Sequence, residues 1–107
     1  MADTAKRLSG PVALTVSAAT YYTVPASTAC IVRSIHVTNT SATVPANFTM
    51  SIGANATGNA LFTGFAIAAS GVLDWSGFLV LNAADTLQAL ASVAATLTLV
   101  VSGIEVA

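Results

Sequence analysis

The sequence predicts an all-β fold: a compact antiparallel β-sandwich, jelly-roll-like, of about eight short strands. Three observations predict it. Val, Ile, Thr, Phe and Tyr recur in short runs that Gly, Pro, Asn and Ser interrupt. Within those runs apolar and polar residues alternate with the period of a strand. No helical period persists. Even the alanine-rich stretch 82–95 holds the turn formers Asn82 and Asp85, followed by the alternation Thr86-Leu87-Gln88-Ala89.

The elements follow in order. Residues 1–10 form the polar end of the chain, with Lys6 and Arg7, and read as an N-terminal arm or edge strand closed by Gly10-Pro11. Residues 11–107 form a single sandwich domain, as the length of 107 residues suggests. Val12 to Val16 alternates, and Tyr21 to Val24 is stopped by Pro25. The strongest strand is "CIVRSIHVTN", Cys30 to Asn39. Ile31, Arg33, Ile35 and Val37 share one parity there, and Cys30, Val32, Ser34, His36 and Thr38 the other. Further strands contain Phe48, Met50 and Ile52, then Leu61 to Ile67, Val72 to Leu81 and Thr86 to Ala91. In the last, Ala95 to Val106, parity shifts near Val100-Val101, which implies a bulge or burial on both faces.

Composition narrows function. Hydrophobic residues make up 55% of the chain and charged residues 7%, against about 25% charged in an average domain. One small domain cannot hide that much apolar surface, so part of it is expected to meet other copies or another protein. A membrane helix needs about 20 consecutive apolar residues, and polar residues or Gly interrupt every stretch. The chain is short for a membrane β-barrel. "MADTAKRLSG" lacks the apolar core of a secretory signal. A net charge of −1 excludes a basic patch large enough for nucleic-acid binding.

Candidate chemistry is sparse. Cys30 is the single cysteine and His36 the single histidine, so no disulfide, metal site or cofactor is expected. Cys30 reads as a small core hydrophobe, and His36 lies on the less apolar face of its strand. Arg33, in phase with Ile35, either pairs with Asp74, Asp85 or Glu105 across a subunit contact or snorkels from a sheet margin. Asp74 alternates with Leu73 and Trp75 and should point away from them. Asp85 suits a turn, so no catalytic carboxylate pair is expected. Asn39-Thr40-Ser41, Asn47-Phe48-Thr49 and Asn55-Ala56-Thr57 match the glycosylation sequon but read as loop composition. Tyr21, Tyr22, Phe62, Trp75 and Phe78 form either a sugar-binding shelf or core and interface anchors.

Three segments carry a resemblance: "YYTVPASTACIVRSIHVTNTSA", "DWSGFLVLNAADTLQALAS" and the closing "LTLVVSGIEV". Together, from about Tyr21 to Val106, they resemble small structural proteins of tailed-phage particles, of the capsid-decoration or minor-capsid type. The resemblance implies a non-enzymatic virion protein, made in the host cytoplasm and placed on the capsid surface. It would form a homo-oligomer, with a trimer expected, and bind the major capsid protein or other virion proteins, without nucleic acid or membrane. Contact residues would come from Lys6, Arg7, Arg33, Tyr21, Tyr22, Phe62 and Phe78. The alternative is a tail, neck or fibre component that binds a host-surface glycan. A small hydrolase or isomerase would need His36 beside a carboxylate in a pocket.

Overall fold

Period-two burial sorts the strands into two antiparallel layers in the computed structural model, which describes residues 3–54 and 56–106. Met1 and Ala2 of the expected arm, Asn55 of the third sequon match and Ala107 lie outside the described residues. The strands are β1 (Asp3–Ala13), β2 (Ala19–Thr23), β3 (Ala29–Asn39), β4 (Ala46–Ile52), β5 (Ala60–Ile67), β6 (Val72–Leu81), β7 (Thr86–Ala91) and β8 (Leu97–Val106). One sheet, A, runs β1-β8-β3-β6, and the other, B, runs β2-β7-β4-β5. Successive strands alternate between the sheets, except for the hairpin β4–β5 within sheet B, in the interleaved order of a jelly roll. The helical content described is one 3-10 turn, Thr57–Asn59.

The core is the layer between the sheets. Sheet A contributes Val32, Ile35, Leu99 and Val101, and sheet B contributes Phe48, Met50 and Leu87, all at 0–1% exposure. Each such side chain is worth about 1.5–3 kcal/mol when fully buried. Phe48 is the largest, and its ring tilts at 47° against Phe62, with centroids 5.5 Å apart.

The centre of sheet A departs from simple alternation. Val32 pairs with Gly103 and Ser34 with Ser102, so Arg33 is an extra residue against β8. On the other side, Gly77 and Phe78 together oppose Arg33, because Val32 faces Leu79 and Ser34 faces Ser76. The bulge reverses the inward parity of β3. Cys30 and Val32 point in before it, and Ile35, Val37 and Asn39 point in after it. The expected common face of Ile31, Arg33, Ile35 and Val37 is therefore split, and Arg33 is exposed.

The expected parity shift at Val100-Val101 does not occur. Leu97, Leu99, Val101 and Gly103 all face inward, and the irregularities lie in the partners β1 and β3. A Cβ on Gly103 would meet the Ile31 carbonyl oxygen at 2.2 Å, so only glycine lets the strands approach there. The first strand also differs from expectation. Gly10-Pro11 lies inside β1, where Gly10 adopts φ +83° at a register shift, rather than closing an arm. Val12 to Val16 does not form a separate strand: Leu14 is buried at the corner, where the chain crosses from β8 to β7.

Two polar clamps join the sheets at opposite ends. At one end, Asn39 is 1% exposed. Its amide donates to the carbonyls of Val44 at 2.9 Å and Ile67 at 3.2 Å, and its Oδ1 accepts from Ser41 N at 2.9 Å. At the other end, Tyr22 of β2 donates to Glu105 of β8. The first sequon match is thus a buried structural amide. Replacing Asn39 with Ala strands buried partners, at about 1–3 kcal/mol for each group left unsatisfied. Urea denaturation should show Asn39→Ala losing about 2–3 kcal/mol, while the exposed Asn47→Ala stays within about 0.5 kcal/mol of the parent.

Candidate interaction surface

The strands bring polar and ionisable side chains together in two places, and neither resembles a catalytic pocket. The first lies between the sheets at the Cys30 end. Thr4 pairs with Glu105 and Lys6 with Gly103, which sets Lys6 beside the Glu105 carboxylate. Lys6 Nζ lies 3.2 Å from Glu105 Oε1, and Tyr22 Oη donates to Oε2 at 2.5 Å. These hydrogen bonds, Tyr22 foremost, hold the Glu105 carboxyl below its ordinary range. Burial, and then the bond to Glu105, push the Tyr22 hydroxyl well above its usual value. Burial also raises the neighbouring Cys30 thiol. All the groups are mutually satisfied, so the cluster acts as a clamp. Tyr22 is therefore in the core and not, as expected, at an interface.

The second place lies on the outer face of sheet A. His36 and Asp74 are cross-strand partners. Their nearest atoms, Nδ1 and Oδ1, are 3.8 Å apart, beyond hydrogen-bond length. The other ring nitrogen lies 3.1 Å from Thr38 Oγ1. Asp74 points away from Leu73 and Trp75, as its alternation requires. Asp85 accepts from Asn82 N at 2.8 Å and closes the β6–β7 turn. Among the described residues no group of three or more His, Cys, Asp or Glu could hold a metal ion.

Concavities are small. One cleft of about 90 Å³ opens between edge strands β5 and β6, lined by Ile35, Leu61, Phe62, Trp75 and Leu79. A second, of about 240 Å³, is lined by Ala56, Thr57, Ala60 and Thr63. Both fall below the roughly 300 Å³ of small-molecule sites. Of the two readings of the aromatics, the sugar-binding shelf does not assemble and the core anchors do. Tyr22 is buried, Tyr21, Phe62 and Trp75 are half-buried against the core, and only Phe78 stands free at 66% exposure.

What remains is the outer face of sheet A. Register places Val80, Ile31, Ile104 and Ala5 in one row across its strands. Phe78 stands beside that row. Ser76, Ser34, Ser102 and Arg7 form a neighbouring row, and Arg33 projects between the two. Val80 is 49% exposed and Val72, at the far end of β6, 54%. The face is thus apolar at one end and hydroxyl-bearing in the middle, with Arg7 and Arg33 beside the apolar row and Asp74 farther along β6. Of the residues expected to make contacts, Arg7, Arg33 and Phe78 come together here. Lys6 is tied to Glu105, and Tyr21 and Phe62 pack on sheet B. Sequence reasoning missed Ile31, whose outward phase follows only once the bulge at Arg33 is placed, and Ile104, whose outward phase follows from the unbroken alternation of β8.

No protein-family model, curated protein or solved structure matches this chain. No helix is long and apolar enough to cross a membrane.

The Tyr22–Glu105 clamp has a pH signature with two arms. Glu105 has a lowered folded-state pKa, so its contribution is complete above about pH 4.3 and is lost as pH falls through the folded value. Tyr22 has a raised one, so its contribution is complete below about pH 10 and is lost as pH rises further. Thermal melts across pH should show Tyr22→Phe flattening the acid arm and abolishing the Tyr22 part of the alkaline arm.

Proposed function

We propose that this chain is a non-enzymatic structural protein of a phage particle. It docks on the capsid shell through the outer face of sheet A and stabilises the shell as a decoration or minor capsid protein. The observation that carries this reading is the outward apolar row of exposed Val80 and half-buried Ile31 and Ile104, with exposed Phe78 beside it. Contiguous apolar surface of this kind marks interaction sites on small proteins. The row itself is apolar and borders serines, with Arg7 and Arg33 at its flank. Its short side chains would lose little entropy on docking, and the two arginines would favour an acidic rim on the partner.

Two further observations support the reading. Jelly rolls recur in viral capsid proteins, although they also occur in lectins and cupins. The resemblance to tailed-phage structural proteins points to the capsid member of that set. A glycan-binding role in a tail or fibre draws less support, because Trp75 lines a cleft of only about 90 Å³ and the tyrosines line neither concavity described. A protein that binds only the assembled lattice would stabilise it by mass action.

Particles assembled with and without this chain provide the test. Those lacking it should release their genome at a lower temperature, and adding back the purified protein should restore the difference. Ile104→Lys, set in the middle of the sheet face, should keep its fold and bind shells at least tenfold more weakly. Unchanged particle stability without the chain would sink the proposal.

A further inference from the structure

We infer that edge strand β6 is a homodimer interface, pairing antiparallel with β6 of a second copy about a twofold axis through Ser76. The strand reads Val72-Leu73-Asp74-Trp75-Ser76-Gly77-Phe78-Leu79-Val80. Its two ends read the same in both directions about Ser76, with Val72 and Leu73 mirrored by Val80 and Leu79. An antiparallel pairing centred there sets Val72 against Val80, Leu73 against Leu79, Trp75 against Gly77 and Ser76 against itself. A twofold contact requires that kind of self-complementarity.

The structure makes the pairing accessible. β6 is ten residues long and pairs on one side only, with β3. Its other edge offers a row of backbone donors and acceptors. Exposure alternates without a break from Val72 to Val80, so the bulge opposite Arg33 leaves the two faces of β6 in phase. On the outer face, both Val–Val pairs would cover side chains now about half exposed. On the inner side, Trp75 leans over its own Gly77, where a Cβ would lie 2.9 Å from the indole. Each Gly77 is thus covered by the indole of its own chain, an arrangement that stabilises glycine in sheets, and the pairing sets the two covered glycines beside the two indoles.

Charge fits the same register. Asp74 falls opposite Phe78 of the second copy. That Phe78 adjoins the exposed Arg33 on the neighbouring strand. Asp74 and that arginine then stand two strand spacings apart, about 10 Å between backbones, within joint side-chain reach. The twofold makes this pair twice. The contact joins the two A sheets edge to edge and doubles the outer face. It predicts a dimer, in place of the trimer that the resemblance implies. It does not depend on a role in a particle, because the isolated chain is sufficient to test it.

Sedimentation equilibrium at micromolar concentration should give twice the chain mass of 10.7 kDa. Val72→Lys with Val80→Lys places like charges across both outer pairs and should weaken association at least tenfold. Val72→Asp with Val80→Lys places opposite charges there and should restore it. Both positions are solvent-exposed, and circular dichroism confirms folding of each variant. Independently, Ser76→Cys should form a covalent dimer under mild oxidation, whereas the parent, whose Cys30 is buried, should not. A monomer or trimer, a dimer indifferent to the two lysines, failure of the Asp/Lys variant to restore it, or absence of the Ser76→Cys crosslink overturns the contact.

Discussion

The layer between the sheets is the constraint on which the molecule depends. Two four-stranded sheets can stay face to face only if every inward position is filled without gaps. The filling is mostly aliphatic, with Val32, Ile35, Leu99 and Val101 from one side meeting Phe48, Met50 and Leu87 from the other. Loss of packing in that layer would release both sheets at once. No helix covers either outer face, so each outer face answers to solvent or to a partner.

That packing demand explains the bulge at Arg33. Read without a bulge, β3 would carry Cys30 and Val32 inward and Ile35 and Val37 outward. The extra residue lets both apolar halves of the strand face the core, and it expels the one charged residue between them. The polar clamps have the same origin. Where the layer ends, buried polar groups need partners. Asn39 takes three such bonds at one end, and Glu105 takes the Tyr22 hydroxyl and Lys6 at the other. The row Val80, Ile31, Ile104 and Ala5 itself carries no charge, so Arg7 and Arg33 at its flank are the charges a partner on that row would meet.

The strand count, most strand limits and the inward phase of β6 and β7 were legible in the sequence, because period-two alternation there is unbroken. Asp74 outward followed from the same pattern and Asp85 in its turn from the turn residues around it, whereas the inward face of Cys30 depends on the bulge at Arg33. Arg33 and Ile31 depart from the expected faces for a single reason. A bulge is a choice of register, made between strands distant in sequence, and it leaves no mark on the period of one strand. Tyr22 was read as an interface residue because its partner, Glu105, lies 83 residues away.

By itself, then, the sequence determined an all-β sandwich with a shortage of charge. Local alternation, turn residues and composition are properties of neighbouring residues, and these suffice for strands. Tertiary structure alone decided which sheet each strand joins, where β3 reverses its face, and that Val80, Ile31 and Ile104 line up on one open surface. Those outcomes depend on pairings between strands tens of residues apart, fixed by how two inner faces fill the space between them.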